Sequence, residues 1–389
     1  MKVRIRQSYK QKKAAPAAAA PGGAVHKLPF LLTGGGTGGH VIPAIAVARE
    51  LRRRGHQPFF VGTKEGMESK LVPRESFPIE YVEIGGLKRV GWKQTLRTLL
   101  QFPLAVWKAA RIVKKHQPAA VFSMGGYVAG PATVAAWLLR CPIVLMEPNA
   151  MPGMANRHAG RLASRALLSF DEAKPYFAER KVEMTGLPVR SEFFDISPKA
   201  PGHELTVLVT GGSRGSRRLN EAGKASWALF LKEQVHVRWI HQSGSQDYDE
   251  MSAAFSASGA AGEVVPFVDN MPRAFSQCDL VVCRSGAGAV AELAAAGKPS
   301  ILVPFPYAAD QHQLKNAEAM SKAGAARLIL DRELTGEELF HTIRDLARQP
   351  GQLQEMGAAA RKFAAPAAAK RTVEILEEEA ARALGWKAS

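Results

Sequence analysis

Cysteine is scarce in this chain. There are three in 389 residues, Cys141, Cys278 and Cys283, at no spacing that would hold a metal. Such usage fits reduced, structural thiols in a cytosolic protein. Long apolar runs are missing too. The nearest candidate, Val128 to Met146, is broken by Pro131, Arg140 and Pro142, and its pieces are too short to cross a bilayer. Acid is short relative to base: 35 Asp and Glu face 52 Lys and Arg, a net charge of +17. Residues 1–27 hold seven of those cations and no acid, are rich in Ala and Pro, and lack the apolar core of a secretory signal. They read as a disordered basic tail. The remaining charge asks for an acidic partner: nucleic acid, anionic lipid or a phosphorylated substrate. Aromatics are not interleaved with the cationic runs as a nucleic-acid stacking platform requires, which disfavours the first.

What the chain has in plenty is glycine at strand ends. Three glycine turns each follow an apolar run: Gly34 to His40 after Phe30-Leu31-Leu32, Gly211 to Ser216 after Val207-Leu208-Val209, and Ser285 to Gly288 after Val281-Val282-Cys283. Glycine lets backbone N–H groups approach an anion, and the helix that follows points its positive end at it. Strand-like runs alternate with helical patterns throughout, near 30–32, 58–61, 81–84, 119–122, 143–146 and 166–169, and again near 205–209, 237–241, 263–265, 280–283, 301–303 and 326–330. Helices are expected between them, among them 42–54, 95–115 and 132–139. This alternation predicts an α/β protein of two Rossmann-like, doubly wound parallel sheets facing one cleft. Domains are expected at 28–198 and 199–365, divided near Pro198 to Gly202, with a helical segment at 366–389.

The spacing Gly34-x-Gly36-x-x-Gly39 is formally a dinucleotide fingerprint. A nicotinamide site also wants an acid at the end of the second strand, which here ends Val61-Gly62-Thr63. A P-loop fails as well, because no Gly-Lys-Ser/Thr follows. His40 after the glycines sits where ligands bind in such sheets, which favours a catalytic or substrate role. Ser123 to Tyr127 adds a further turn on the same edge, and Glu147-Pro148-Asn149 ends the next strand. Arg190 is placed to meet a base or phosphate from the hinge. Ala287, Gly288, Ala289, Val290 and Ala291 open a helix whose amides suit a pyrophosphate, and Glu292 one turn in reads as a cap or a ribose acceptor. The polar run Asp310 to Gln313 with Asn316 reads as a set of sugar-hydroxyl binders. No Asp-x-Asp pair lies near these cleft motifs, so no metal is expected.

Residues 85–108 differ in kind. Leu87, Trp92, Leu96, Leu100 and Trp107 alternate with Lys88, Arg89, Lys93 and Arg97. An amphipathic helix accounts for part of this, and an apolar loop rimmed only by cations is a membrane-surface pattern. Each such cation contributes about 1 kcal/mol beside an anionic leaflet.

Taken together, the runs GGGTGGH at 34–40, SMGGY at 123–127, EPNAMPGMANR at 147–157, GLPVR at 186–190, GGSRGSRRLN at 211–220, QSG at 242–244, CRSGAGAVAE at 283–292 and DQHQLKNA at 310–317 resemble the MurG family of bacterial glycosyltransferases. The resemblance covers residues 28 to about 380. It implies a GT-B fold and transfer of GlcNAc from UDP-GlcNAc to the C4 hydroxyl of MurNAc in lipid I, giving lipid II with inversion. It implies His40 as general base, with Glu147 in reserve. It places Thr37, Gly38, Gly39, Asn149, Arg190, Ser213, Val268, 287–292 and Gln313 at the donor, and Gly35, Gly36, Gly125, Gly126 and Tyr127 at the acceptor's pyrophosphate. It implies no cofactor, a peripheral place on the cytoplasmic face of the inner membrane among wall-synthesis proteins, and no nucleic-acid partner. A related GT-B transferase using a UDP-sugar on another membrane lipid is the alternative. The chain departs from the family pattern at Pro148, at Arg214 and at Gly288-Ala289, where Gln, Gln and Leu-Thr are usual.

Overall fold

A computed structural model describes residues 27–36, 38–84, 92–197, 199, 204–212 and 214–385, with backbone alone at 92–100 and 350. Residues 1–26, Thr37, Ser213, residues 85–91 with Leu87, Lys88 and Arg89, and most of the expected domain boundary lie outside the described residues.

Two parallel sheets carry the chain. The first contains β1 (Pro29–Thr33), β2 (Gln57–Gly62), β3 (Ile79–Tyr81), β4 (Ala120–Ser123), β5 (Ile143–Glu147), β6 (Arg165–Leu168) and β7 (Val182–Met184), ordered β3-β2-β1-β4-β5-β6-β7. The second contains β8 (Leu205–Thr210), β9 (Val237–Gln242), β10 (Ala261–Val265), β11 (Leu280–Cys283), β12 (Ser300–Leu302) and β13 (Ala326–Leu328), ordered β10-β9-β8-β11-β12-β13. Their strands are apolar on both faces because helices cover both. The helices of the first half are α1 (Gly38–Arg53), α2 (Glu68–Arg74), α3 (Trp92–His116), α4 (Gly126–Leu138) and α5 (Met154–Leu162). Those of the second are α6 (Arg217–Lys232), α7 (Tyr248–Ser258), α8 (Met271–Gln277), α9 (Ala287–Ala296), α10 (His312–Lys322), α11 (Gly336–Ala347), α12 (Pro350–Arg361) and α13 (Ala368–Leu384).

Register places the site. Strand order reverses between β1 and β4 in one sheet and between β8 and β11 in the other, and ligands bind at such switch points. Thr33 lies opposite Ser123, and Thr210 opposite Cys283. The glycine turns therefore leave each sheet in adjacent pairs.

Several elements differ from expectation, and α1 begins at Gly38 where 42 is expected. The strand expected at 81–84 runs instead over Ile79–Tyr81. Val82 and Ile84 are apolar because they are buried in a loop under the sheet, with one more hydrogen bond from Val82 N–H to the Gly62 carbonyl at 2.9 Å. β7 is an edge strand of three mixed residues, Val-Glu-Met, too short to show a period. α4 begins at Gly126, six residues before the expected start, and runs through Pro131, which lies inside the helix. α13 returns to the first domain: Val373, Ile375, Leu376 and Ala380 pack into its core, and Glu377 pairs with Arg54 at 2.7 Å and His56 at 2.9 Å.

Candidate active site

The turn after β1 is held from beneath. Glu68, 1% exposed, accepts from Gly36 N–H at 2.9 Å, Thr63 N–H at 2.9 Å and Thr63 Oγ1 at 2.8 Å. The Gly36 amide is thus committed to a carboxylate, which corrects its assignment to a pyrophosphate. Glu68 was not singled out from the sequence. The only trace there is an acid two residues past Gly66, at the first position of a short helix.

His40 stands in the first turn of α1, half-buried. Burial pulls its imidazole below the ordinary 6.5, against a hydrogen bond to the Gly35 backbone that raises it, and His312 of the second domain lowers it further. The ring lies beside Gly126, where an added Cβ would sit 3.7 Å from His40 Cε1. Gly125, at φ 77°, is the residue before α4, and a side chain there would collide with Asn156. Tyr127, 38% exposed, lies with its ring against Gly36.

Glu147 ends β5 and is 1% exposed. One oxygen accepts from Asn149 N–H at 2.9 Å and Asn149 Nδ2 at 3.1 Å, the other from Asn156 Nδ2 at 2.9 Å. Burial raises its carboxyl to about 7, against those bonds. With both oxygens engaged, Glu147 holds two asparagines in place, while His40 is the group at the cleft.

The second domain brings α9 to the same place. A Cβ at Gly288 would sit 4.0 Å from Gly39 Cα, and Ala287 and Ala291 pack on the first domain's core. Two helix N-termini therefore meet across the cleft. Val290 N–H already donates to the Gly286 carbonyl at 3.0 Å, so the open amides narrow to Ala287, Gly288 and Ala289. Glu292 does not cap this helix. Its Oε1 accepts from Arg190 Nη2 at 3.3 Å, and burial raises its carboxyl to about 7 against Arg190. Arg190 Nε is buried and finds no acceptor among the described residues.

Gln242 joins the remaining pieces. Its Nε2 donates to the Gly212 carbonyl at 2.7 Å, and its Oε1 accepts from Val268 N–H at 2.9 Å. Gln313 Oε1 accepts from Phe305 N–H at 2.9 Å, and the Gln313 carbonyl accepts from Ser285 Oγ at 2.7 Å. Arg284 ties the third turn to its neighbours, donating to Ser216 Oγ at 2.7 Å and the Val303 carbonyl at 3.2 Å. Asn316 is no sugar binder: it is fully buried and bridges the domains. Its Oδ1 accepts from Ala150 N–H at 2.9 Å, and its Nδ2 donates to Asn149 Oδ1 and the Ser285 carbonyl, both at 3.1 Å. Its spacing of four from the buried Met320 was the available signal that it faces inward. Arg214 is exposed on its turn.

The chain matches the glycosyltransferase family 28 N-terminal domain over residues 30–168 and the C-terminal domain of that family over 206–372. A Solibacter usitatus UDP-N-acetylglucosamine–N-acetylmuramyl-(pentapeptide) pyrophosphoryl-undecaprenol N-acetylglucosamine transferase is 57% identical across 90% of this chain and 96% of its own. The Myxococcus xanthus protein of the same name is 40% identical across 89% and 91%. The crystal structure of Acinetobacter baumannii MurG superposes with a TM-score of 0.75 at 31% identity, over 90% of this chain and 99% of that one. A Neisseria meningitidis UDP-GlcNAc 2-epimerase, at 13% identity and a TM-score of 0.64, shares the fold. The chain belongs to glycosyltransferase family 28, in its MurG branch.

Proposed function

We propose that this enzyme moves GlcNAc from UDP-GlcNAc to the C4 hydroxyl of MurNAc in lipid I, with inversion. The observation that carries the reading is the meeting of α1 and α9 at Gly39 and Gly288, with His40 on one side and Glu292 with Arg190 on the other. In one displacement the C4 oxygen attacks the anomeric carbon, its proton passes to His40, and the bond to the UDP oxygen breaks with its electron pair leaving on UDP. One His40 nitrogen is engaged by the Gly35 backbone, and the other accepts the proton when the ring is neutral. The amides of 287–289 and the unmet Nε of Arg190 receive the charge that develops on the pyrophosphate. Ribose hydroxyls take the place of Arg190 on Glu292. Gln313 offers the sugar its amide nitrogen, and the Val268 segment, fixed by Gln242, borders the uracil. The acceptor pyrophosphate falls to the turn of Gly125, Gly126 and Tyr127, with Gly35 at its edge.

Acceptor-dependent UDP release from UDP-GlcNAc with a short-chain lipid I analogue, persisting in EDTA, is the expected result. Donor binding without release on that acceptor would sink the lipid I reading and favour another membrane lipid.

We further propose a peripheral place on the cytoplasmic face of the membrane. No helix among the described residues is long and apolar enough to cross one. On α3, Leu104 and Trp107 are 52% and 54% exposed, and on α4, Trp137 and Leu138 are 50% and 57% exposed. The two helices run side by side with Phe102 against Gly130, and Arg111 lies over Trp107 at 5.0 Å. Trp137 and Leu138 extend the patch read from sequence. The side chains of Trp92, Lys93, Leu96, Arg97 and Leu100 lie outside the described ones. Binding to phosphatidylglycerol vesicles should fall about tenfold or more in Trp107→Ala/Trp137→Ala and weaken with salt. Vesicle binding unchanged in the double variant would refute the patch.

A further inference from the structure

The transfer as proposed leaves Glu68 without a part, although the structure has built a site around it. Its carboxylate is buried at the start of α2 and takes hydrogen bonds from Gly36 N–H at 2.9 Å and from Thr63 N–H and Oγ1 at 2.9 and 2.8 Å. All three donors are neutral. Glycines surround it: a Cβ at Gly35, Gly62 or Gly66 would collide with the Glu68 side chain. Burying a carboxylate is unfavourable unless hydrogen bonds or a cation compensate it. Holding a turn shut does not need an anion, since a neutral amide could accept from Gly36.

The turn it holds is the one that carries the base. Gly36 N–H is tied to Glu68, and the preceding Gly35 meets the His40 imidazole through its backbone. The charges that face His40 come from several elements. Glu68 on α2 favours the protonated ring, and His312 on α10 opposes it. Tyr127 on α4 lies against Gly36, and burial first, then Glu68 and Glu65, hold its phenol in the neutral form.

We infer that Glu68 is a positioning residue for the transfer: by pinning the Gly34–Gly36 turn through the Gly36 amide, it sets the orientation of His40. The first glycine turn is then a scaffold for the base, with its central amide filled from within by a carboxylate instead of by a phosphate. The inference rests on the transferase reading.

The test is Glu68→Gln in the full chain, with Thr63→Val beside it. Glutamine keeps the shape and one acceptor, and loses the charge and the second acceptor. Thr63→Val removes one bond to the carboxylate and leaves its charge. UDP-GlcNAc affinity and thermal midpoint should stay near those of the parent, because the open amides of 287–289 and Glu292 lie on the other domain and Glu68 touches neither. In Glu68→Gln, kcat should fall about 10- to 100-fold with KM for both substrates within about threefold, the scale of a small misplacement of a catalytic group. The acidic limb of its kcat profile should move to lower pH, because the charge that favoured imidazolium is gone. Thr63→Val should lower kcat several-fold and leave that limb in place. A Glu68→Gln enzyme with the parent's kcat and limb overturns the assignment. So does a loss in which active donor sites and kcat fall together while the limb stays, which is a folding defect alone. Should Glu68→Gln not fold, Thr63→Val decides: parental kcat there overturns it. A parent that binds UDP-GlcNAc yet transfers nothing overturns the transferase reading, and this inference with it.

Discussion

Replacing His40 by alanine lowers kcat by about 10³-fold and leaves UDP-GlcNAc affinity within about twofold. The size follows from general-base catalysis, which contributes roughly 10²–10⁴ when the base is positioned on the reacting hydroxyl. The selectivity follows from place. His40 sits in the first turn of α1, beside Gly126 and in contact with the Gly35 backbone, whereas the open amides, Arg190 and Glu292 belong to the other side of the cleft. Removing the ring therefore takes away a proton acceptor and little of the donor's contact surface.

The pH profile gives the same assignment a second test. Burial lowers the His40 imidazole below 6.5. A base works deprotonated, so activity should hold at pH 6.5 and fall only on the acid side of it. In His40→Ala that limb should vanish along with most of the rate. Substantial turnover in the alanine variant with an unchanged acidic limb would assign the proton to another group. Glu147 is the first alternative to examine, since burial raises its carboxyl to about 7. Its oxygens are bonded to Asn149 and Asn156, so Glu147→Gln should act through misplacement of those asparagines, with a limb that stays where it was.

Much of this site could be read in the residues, and the reason is local. A glycine turn after an apolar strand declares itself within eight residues, and register then brings such turns together without further information. Thr33 lies opposite Ser123, and Thr210 opposite Cys283, because each strand is a continuous apolar run with one plausible pairing at a switch point. His40 and Glu292 sit in or directly after such turns, and Glu147 ends an apolar strand. What escaped is polar chemistry whose partner is far along the chain. Gly36 is 32 residues from Glu68, and Ala150 is 166 from Asn316. Around Asn316 only the spacing of four from Met320 points inward, and burial decides between a bridge and a sugar ligand. The same limit applies to α13. Its amphipathic pattern announces a helix, but the choice of the first domain as its partner is made by Val373 and Leu376 against α1 and by Arg54 and His56 reaching Glu377. Short edges failed for a different reason. Val182–Met184 has too few residues for alternation to appear.

Arg190→Ala should carry the second large effect, in two measurements at once. The guanidinium pairs with Glu292 at 3.3 Å, with side chains 30% and 19% exposed, and its Nε lacks an acceptor among the described residues. If that group meets the donor pyrophosphate, its loss removes a charge-assisted hydrogen bond, and UDP-GlcNAc affinity should weaken about 10- to 100-fold. Stability should change in a pH-dependent way that follows from Glu292. Its carboxyl stands at about 7 in the folded protein, raised by burial and restrained by Arg190, against 4.5 when unrestrained. A raised carboxyl favours folding while it is protonated, and that contribution is present below about 4.5 and lost as pH rises through about 7. Without Arg190 the folded value climbs further, so the loss deepens with pH. The gap between variant and parent should be small at pH 5 and reach about 1–3 kcal/mol at pH 8. Adding Glu292→Gln to Arg190→Ala removes the ionising group and should recover stability at pH 8 while leaving pH 5 unchanged. A gap of the same size at both pH values, or no recovery in the double variant, would mean that Arg190 supports the hinge by packing on Phe193, whose ring lies 5.0 Å beneath it, and that its pairing with Glu292 is incidental.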